Sequence, residues 1–360
     1  MSKFDDLKMK LNTEEIKRYA RHLILPEIGI EGQQKLKQAK VLVIGAGGLG
    51  CPVLQYLIAA GVGTIGIVDF DRVEESNLQR QILYSTGDIG KYKVEVAKEK
   101  LSKQNPFVKI ITYCQLLTAT NALEIISNYE IIVDGSDNFA TRYLVNDACV
   151  ILNKSLVFGS IFKFQGQLSV FNYKGGPTYR CLYPEPPADG EIPNCAEIGV
   201  MGVLPGIIGA LQANEVIKII VGVGEVLSGK LLTFDSLTVQ FNTFDIAVNP
   251  ENIKINKLID YELFCGSIKE ITAEELKQKI KLKEDFQLID VREKTEYQIK
   301  NIGGILIPLG NLANNFDKIN ADKEIIVHCA GGVRSKKAVR LLMEQGFKKV
   351  YSLKNGLLDF

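Results

Sequence analysis

The sequence has no excess of charge of either sign, since 43 lysines and arginines stand against 42 aspartates and glutamates in 360 residues. Proteins that bind nucleic acids or anionic membrane surfaces through charge carry a basic excess. We therefore expect no nucleic acid and no membrane among the partners, and a protein or a small molecule is the better candidate. The length allows two domains.

Long apolar runs are also missing. The first residues, MSKFDDLKMKLN, carry charges where a signal peptide would need an apolar core. The most apolar later stretch is interrupted by polar residues, namely Gln212, Asn214, Glu215 and Lys218. The sequence thus predicts a soluble, cytoplasmic protein.

The seven cysteines are odd in number and widely scattered, unlike the dense disulfide framework of a small secreted domain. Most of them should be reduced, which leaves thiols for chemistry. Cys51, Cys114 and Cys149 have apolar neighbours within predicted helices or strands, so we predict that these three lie in the core.

Short branched apolar runs alternate with amphipathic helices through the first part of the chain. Residues 41–44 and 64–69 are predicted strands on either side of a helix that ends near residue 60, and the alternation continues to a strand at 155–159. A capped helix from residue 13 to about Pro26 precedes them. This order predicts an α/β fold with a Rossmann-like, doubly wound, mostly parallel sheet.

The pattern changes after residue 160. Residues 162–173 alternate with period two around Gly166, which predicts a hairpin, and 231–247 follow a buried helix at 203–221 as antiparallel strands. The parallel sheet should therefore have an antiparallel extension.

A segment rich in Asn, Pro and Lys marks the end of this domain, so we place domain 1–247 before a linker at 248–268. Thr272 and Glu275 form a capping box that begins a new helix. Predicted strands at 286–290 and 324–328 and a helix at 335–345 follow it. Residues 269–360 are therefore a second, smaller α/β domain.

A glycine-rich turn, from Gly45 to Gly50, follows the first predicted strand and opens a helix, and Asp69 ends the next strand. Glycines permit a tight turn close to phosphate, the helix N-terminus favours an anion, and the acidic residue accepts from ribose hydroxyls. The motif predicts a nucleotide site and by itself favours NAD. A tight turn without a ligand is the alternative.

Residues beyond Asp69 argue against a dinucleotide. Asn77, Arg80 and Lys93 converge where a triphosphate would extend, whereas a nicotinamide needs an apolar pocket. Taken singly, Lys93 or Arg142 is typical of a solvated helix face. Only their place in the motif favours a binding role.

Five segments carry a family resemblance: Gly45 to Gly50, Asp69 to Asp71, Ser76 to Gln81, Asp134 to Asn138 with Arg142, and Asn194 to Glu197. Over residues 10–247 the chain resembles the ubiquitin-activating-like (ThiF/MoeB-type) family. Within it, the chain is similar to the bacterial adenylyltransferases of the molybdopterin-synthase and thiamine pathways. The resemblance implies ATP and Mg²⁺, with adenylation of the C-terminal carboxylate of a small ubiquitin-like sulfur-carrier protein.

The resemblance also implies residue roles. Asp137 would be the Mg²⁺ ligand, and Arg21 matches an arginine that the family delivers into the active site of a partner subunit, which implies a homodimer. A carboxylate that attacks a phosphate approaches like charge, so cations are needed. The implied nucleotide-binding set comprises Gly45, Gly47, Gly48, Gly50, Asp69, Asp71, Asn77, Arg80, Lys93, Asp137 and Asn138.

Three further cysteines come from the resemblance. Cys195 matches a cysteine that can join the carrier covalently, with simple packing as the alternative. Relatives hold zinc with two C-x-x-C pairs, but here the matching segments keep only Cys181 and Cys265. Because Thr178 is a poor zinc ligand, the sequence argues against zinc, and an apolar cluster, a disulfide or a weakened site with Glu262 stay open.

Cys329 follows a predicted strand and precedes a glycine-containing loop that leads to Arg334 at a helix start. Loop N–H groups, the helix N-terminus and Arg334 would together stabilise a thiolate or an anionic persulfide. Residues 269–360 resemble the rhodanese family, supported by the segments 288–293 and 307–309. Where the rhodanese family has a Gly-His-Ile segment, this chain has Lys-Asn-Ile, at 300–302. A rhodanese fold used only for docking would typically lack the cysteine.

Together these observations predict an ATP-dependent adenylyltransferase with a sulfurtransferase domain, which activates a sulfur carrier and supports its sulfuration through a Cys329 persulfide. A molybdopterin-type pathway is favoured, while thiamine and tRNA thiolation pathways stay open. A sulfur donor such as a cysteine desulfurase is a further expected partner. The alternatives are a nicotinamide-dependent oxidoreductase with a sulfur-binding module and a non-catalytic interaction module.

Overall fold

A computed structural model describes residues 11–187, 199–265 and 268–360. The chain divides into two compact units, Met1–Tyr261 and Glu262–Phe360. The division lies within the predicted linker at 248–268. Each unit has its own sheet.

The first unit is built on an eight-stranded sheet with the order β3-β2-β1-β4-β5-β6-β7-β8. Strands β1 to β5 are parallel, and β6, β7 and β8 are antiparallel to their neighbours. The strand order reverses between β1 and β4, as in a doubly wound sheet. The strands are β1 Lys40–Ile44, β2 Thr64–Val68, β3 Lys109–Tyr113, β4 Ile131–Asp134, β5 Ser155–Phe162, β6 Gln165–Phe171, β7 Lys230–Asp235 and β8 Gln240–Asp245.

Helices cover this sheet because its central strands are continuous apolar runs that need burial on both faces. Val41 and Val43 of β1 and Ile65 of β2 lie in one core cluster with Leu54 and Leu57 of the following helix. The α-helices are Thr13–Arg18, Ala20–Leu23, Gly29–Gln38, Gly50–Ala60, Lys93–Gln104, Ala122–Ser127, Phe139–Ile151, Tyr179–Leu182 and Leu204–Val221, and Tyr261–Phe264 lies at the unit boundary.

Helix Leu204–Val221 has the length and composition of a membrane span, but it packs on the sheet. A Cβ on Gly159 of β5 would meet Gln212, and one on Gly166 of β6 would meet Ile208. The glycines therefore permit close packing of this helix on β5 and β6, and we describe it as a core helix.

Two local predictions were wrong. The first helix is interrupted at Tyr19, which is buried and whose hydroxyl accepts a hydrogen bond from Asn105 Nδ2 at 2.9 Å. The residue that caps the start of this helix is Asn12. The hairpin turns at Lys163, and Gly166 lies inside β6. At Tyr19 a long-range contact overrides the local pattern.

The second unit contains a five-stranded parallel sheet with the order β11-β10-β12-β13-β9. Thr272 and Glu275 form the predicted capping box. Its strands are β9 Glu270–Ile271, β10 Phe286–Asp290, β11 Ile305–Leu306, β12 Glu324–His328 and β13 Val350–Leu353, and its α-helices are Ala273–Leu282, Lys294–Ile299 and Val333–Glu344.

Candidate active sites

A cavity opens at the carboxyl ends of β1, β2 and β4, where the strand order reverses and open α/β sheets bind their ligands. Its volume is about 160 Å³, and it is partly open to solvent. Most of the residues predicted for nucleotide binding meet there. Those that line it are Gly45, Gly47, Gly48, Asp69, Asp71, Arg80, Lys93, Asp137 and Asn138.

The glycine turn is fixed by close packing at its ends. Gly45 has φ +87°, and a Cβ there would lie 2.8 Å from the Gly135 carbonyl oxygen. A Cβ on Gly50 would overlap the carbonyl of Gly45. The buried Tyr84 hydroxyl donates to the Ala46 carbonyl at 2.8 Å. The turn thus keeps a tight conformation that only glycine permits at these positions.

Asp69 joins this turn to the end of β2. Its Oδ2 accepts from the Ala46 N–H and its Oδ1 from the Asp71 N–H, both at 2.8 Å. Burial raises the pKa of Asp69, while Lys93 opposes the shift. Since each carboxylate oxygen has further lone pairs, Asp69 can also accept from ribose hydroxyls.

Two cations reach the cavity from the segment after β2. Lys93 is buried, and its Nζ lies 2.9 Å from Asp71 Oδ2, while Asp71 is half exposed. Arg80 donates from Nη1 to the Ser76 carbonyl at 2.9 Å. Lys93 therefore has an acidic partner that a phosphate can replace without leaving a buried charge unpaired.

Arg142 is a further cation that lines the cavity, as its place in the motif predicted, whereas sequence reasoning assigned no role to Asp134, whose charge interacts with it. Asp134 is buried at the end of β4, and burial raises its pKa while Arg142 lowers it. Arg142 lies over the rings of Phe139 and Phe158, at 5.5 and 5.7 Å from their centroids, and donates to the Ser136 carbonyl at 3.3 Å. The place of Asp134 at the end of a strand beside β1 was the available signal.

Several buried polar atoms at this cavity have no hydrogen-bond partner. They are Gln81 Oε1, Ser136 Oγ and Arg142 Nε, and all three residues line the cavity. Buried polar groups are nearly always paired in native proteins. These atoms therefore point to a polar ligand.

Asp137 and Asn138 lie in the short loop between β4 and helix Phe139–Ile151. Asn138 Oδ1 accepts from the Thr141 N–H at 2.8 Å and caps helix Phe139–Ile151, while Asp137 is exposed. Mg²⁺ usually takes one or two carboxylates together with substrate phosphates. A lone carboxylate beside a phosphate-binding turn fits that pattern, so Asp137 is a suitable Mg²⁺ ligand.

Three of the described residues predicted for the active site of the first unit do not line the cavity. Asn77 Oδ1 accepts from the Glu74 N–H at 3.3 Å, away from the cavity lining, and Gly50 begins helix Gly50–Ala60. Arg21 is exposed on helix Ala20–Leu23 and does not line the cavity of its own protomer. Cys195 lies outside the described residues.

The described residues do not suit a zinc site. Cys181 Sγ accepts from the Thr178 and Asn249 N–H groups, each at 3.3 Å. No group of three or more possible metal ligands occurs among residues 11–187, 199–265 and 268–360. Structural zinc needs four such ligands, nearly always thiolates and imidazoles.

A largely buried network joins Arg180, in the first of these segments, to three residues distant from it in the sequence. Arg180 donates to both oxygens of Asp147, at 2.7 and 2.8 Å, and the Tyr261 hydroxyl donates to Asp147 Oδ2 at 2.7 Å. Asn252 Nδ2 donates to the Arg180 carbonyl at 2.8 Å. We call these four residues the Asp147 network.

The three cysteines predicted for the core behave differently. Cys51 and Cys149 are fully buried, and burial raises the pKa of both thiols, that of Cys51 to about 12. Cys114 is exposed, so its prediction was wrong. It follows the last residue of β3, which is the edge strand of the sheet.

The sulfur site of the second unit lies at the end of β12. Cys329 is 1% exposed, and its Sγ accepts from the N–H groups of Gly332 and Ser335 at 3.1 and 3.4 Å. Gly332 has φ +86°, and Ser335 belongs to the first turn of helix Val333–Glu344. Backbone donors and a helix N-terminus thus face the sulfur, which favours its anionic form.

Arg334 lies beside this loop in an ion pair that sequence reasoning missed. Its Nη1 and Nη2 donate to the two carboxylate oxygens of Glu296, at 2.7 and 2.6 Å. This lowers the pKa of Glu296 to about 2. Glu296 belongs to helix Lys294–Ile299, which precedes Arg334 by a long stretch of sequence, so no local pattern indicated the pair.

Comparison with known proteins finds a matching family for each of the two units. Residues 19–254 match the ThiF family and residues 272–360 the rhodanese-like domain. A probable adenylyltransferase/sulfurtransferase MoeZ of Mycobacterium tuberculosis is 44% identical over 97% of this chain and 93% of its own length. The sulfur carrier protein adenylyltransferase of Thermus thermophilus is 51% identical over 72% of this chain and 99% of its own.

A solved structure shares the fold of the first unit. The crystal structure of Escherichia coli MccB with AMPCPP and MccA has a TM-score of 0.60 and 25% identity, and it covers 68% of this chain and 75% of its own. The chain therefore belongs to the ThiF family, and it is an adenylyltransferase that carries a rhodanese-like sulfurtransferase domain.

Proposed function

We propose that the chain transfers the adenylyl group of ATP to the C-terminal carboxylate of a small ubiquitin-like sulfur-carrier protein. A persulfide on Cys329 then provides the sulfur that turns this carboxylate into a thiocarboxylate. The observation that carries the first step is the meeting of Arg80, Lys93 and Arg142 at one cavity behind the glycine turn. Such a cationic set suits a triphosphate better than a nicotinamide.

The relatives support this substrate class. The Thermus thermophilus protein is described as acting on a sulfur carrier protein, and MccB was crystallised with AMPCPP and MccA. The first carrier to test is one of the molybdopterin type, followed by carriers of the thiamine and thiolation types.

In the first step a carboxylate oxygen attacks the α-phosphorus, the bond between the α- and β-phosphates breaks, and pyrophosphate leaves. The attacking carboxylate approaches like charge, and each close pair of unit charges costs about 4 kcal/mol at 4 Å near a protein surface. Arg80, Lys93 and Arg142 offset this repulsion most strongly in the transition state. A Mg²⁺ ion held by Asp137 would add positive charge beside the phosphates.

In the second step the terminal sulfur of the Cys329 persulfide attacks the acyl carbon and AMP leaves. The product is an acyl disulfide between the carrier and Cys329. A second thiol, of this chain or of a small-molecule reductant, then attacks the Cys329 sulfur and forms a new disulfide with it. The thiocarboxylate leaves with the electron pair, so atoms and charges balance.

We infer that two copies of the chain form the working enzyme. Arg21 does not line the cavity of its own protomer, and three exposed apolar side chains follow it, Ile24, Leu25 and Ile30, at 68%, 46% and 62% exposure. Exposed apolar clusters of this kind mark interaction surfaces. A dimer would cover these side chains and bring Arg21 to the cavity of the other copy.

The decisive experiment is carrier-dependent ATP–pyrophosphate exchange, followed by mass spectrometry of each carrier. We expect a mass gain of one adenylyl group and, with a sulfur donor, replacement of one oxygen by sulfur. An Asp137→Ala protein mixed with an Arg21→Ala protein tests the dimer, since one composite site regains both residues. No carrier-dependent exchange with any carrier would contradict the proposal.

A further inference from the structure

The cation beside the sulfur site is already neutralised. Arg334 and Glu296 form a bidentate ion pair, and both side chains are 34% exposed. Because the pair holds the pKa of Glu296 at about 2, this carboxylate stays ionised at neutral pH. The pair therefore brings almost no net charge to the mouth of the Cys329 loop.

The two residues after Cys329 and the nearby Arg292 do not replace the missing charge. Ala330 and Gly331 follow Cys329 in the loop and carry no charge. Arg292, the other guanidinium that acts on Glu296, is buried and donates to Asp290 Oδ2 at 2.6 Å. Each of these two arginines thus has its own carboxylate.

The rim of the loop carries two exposed apolar side chains. Val333 and Leu358 are 68% and 78% exposed, and Leu358 Cδ1 lies 3.7 Å from the point where a Cβ on Gly331 would be. The Leu357 N–H donates to the carbonyls of Cys329 and Ala330, at 2.9 and 3.0 Å, which holds the turn that carries Leu358 against the loop. A sulfur donor therefore meets exposed apolar side chains beside the reactive sulfur.

We propose that Glu296 is a positioning residue that sets the specificity for the sulfur donor. Because Glu296 binds Arg334, this guanidinium does not bind small dianionic donors such as thiosulfate. The favoured donor is then a persulfide on a protein thiol, whose apolar surroundings can cover Val333 and Leu358. With either donor the Cys329 thiolate attacks the outer sulfur and a new S–S bond forms. The donor's S–S bond breaks, and sulfite or the donor thiolate leaves with the electron pair.

The electrostatic difference between the donors explains the choice. Thiosulfate brings two negative charges to a thiolate, and this repulsion must be offset by a cation that is free to pair with the leaving sulfite. A protein persulfide brings one negative charge and gains contact area at the rim. The Glu296–Arg334 ion pair thus favours the protein persulfide over thiosulfate, because it removes the electrostatic attraction for the dianion.

The test compares Glu296→Gln with wild type in the full chain, with Glu344→Gln, an exchange at an exposed residue at the last position of helix Val333–Glu344, as the matched control. The substituted glutamine side chain keeps an acceptor for the Glu293 N–H, which Glu296 Oε2 binds at 3.0 Å, but it releases Arg334 from the ion pair. We expect kcat/KM for thiosulfate, with cyanide as acceptor, to rise about tenfold, mainly through a lower KM. Sulfur loading of Cys329 by a cysteine desulfurase charged with L-cysteine should change less than about twofold, as should both activities of the control.

A gain in activity cannot come from a damaged fold, and the KM effect separates charge from a purely structural role. An unchanged or lower kcat/KM for thiosulfate in a folded Glu296→Gln protein would overturn the proposal. The wild type offers a second measurement that needs no variant. Its kcat/KM for thiosulfate should vary little with ionic strength, whereas a steep fall with added salt would show an uncompensated cation and refute the idea.

Discussion

The nucleotide cavity and the sulfur loop use the same local structure for different anions. Gly45 follows β1 and Gly332 lies in the loop after β12, with φ values of +87° and +86°, and each turn leads into a helix. The cavity adds Lys93 and Arg80, while the sulfur site adds backbone N–H groups and an arginine that Glu296 neutralises. The turn thus provides a general preference for anions, and the nearby side chains decide how much negative charge each site holds.

The comparison of the two sites predicts that loss of a cation from the nucleotide cavity lowers the adenylation activity and leaves the sulfur site unchanged. Lys93→Ala removes a buried charge that faces the phosphates, so we expect carrier-dependent ATP–pyrophosphate exchange to fall about a thousandfold. Sulfur loading of Cys329 should stay within about twofold of wild type. Both rates are measured on the same preparation.

Lys91→Ala is the matched control, because Lys91 is exposed and its Nζ lies 3.6 Å from Asp88. Its exchange rate should match that of wild type. Equal losses of exchange activity in the two lysine variants would contradict this prediction, since they would show a general effect of charge on the first unit.

The sulfur site should instead depend on backbone geometry. A side chain at Gly332 is strained by about 1–3 kcal/mol, because φ is +86° there, and relief of this strain turns its N–H away from Cys329. We expect Gly332→Ala to slow sulfur loading of Cys329 about a hundredfold and to leave ATP–pyrophosphate exchange unchanged.

Gly331→Ala is the control in the same loop. A Cβ there would only touch Leu358 Cδ1, at an ordinary 3.7 Å. If the two alanine variants load sulfur equally well, the N–H groups of the loop do not hold the sulfur anion.

A third test asks whether charge also supports the fold of the first unit. In the Asp147 network, Asp147→Asn leaves the guanidinium of Arg180 without its carboxylate in a buried site, so the free energy of unfolding should fall by about 3 kcal/mol. Urea unfolding followed by tyrosine fluorescence measures this. Asp245→Asn, an exchange at an exposed carboxylate at the end of β8, is the control.

The same network predicts that metal chelators have no effect. Wild-type protein treated with EDTA should unfold at the same urea concentration as untreated protein. A clear loss of stability in EDTA would show that a metal, and not the Asp147 network, joins these segments.

The sequence was informative where the functional residues are close in the chain. Gly45 to Gly50, Asp69 and Lys93 lie within one βαβ unit and its following helix, so the motif placed them at one sheet edge. The pairs Arg334–Glu296 and Tyr261–Asp147 join residues 38 and 114 positions apart, and no local pattern specifies such partners. Tyr19 interrupts a predicted helix for the same reason, because its partner Asn105 is 86 positions away.

The smallest expected loss of stability concerns His328, which is fully buried beside the sulfur site with Nε2 3.8 Å from Asp290. Burial lowers its pKa from 6.5 to about 4. Between these values the unfolded chain binds a proton that the folded chain does not, so stability is complete above pH 6.5 and is lost as the pH falls towards 4. The loss should reach about 2 kcal/mol, and urea unfolding of the second unit between pH 7 and 4.5 measures it. In the His328→Leu protein the free energy of unfolding should vary less with pH. If the variant loses stability as steeply as wild type, the pH dependence comes from other titratable groups and not from His328.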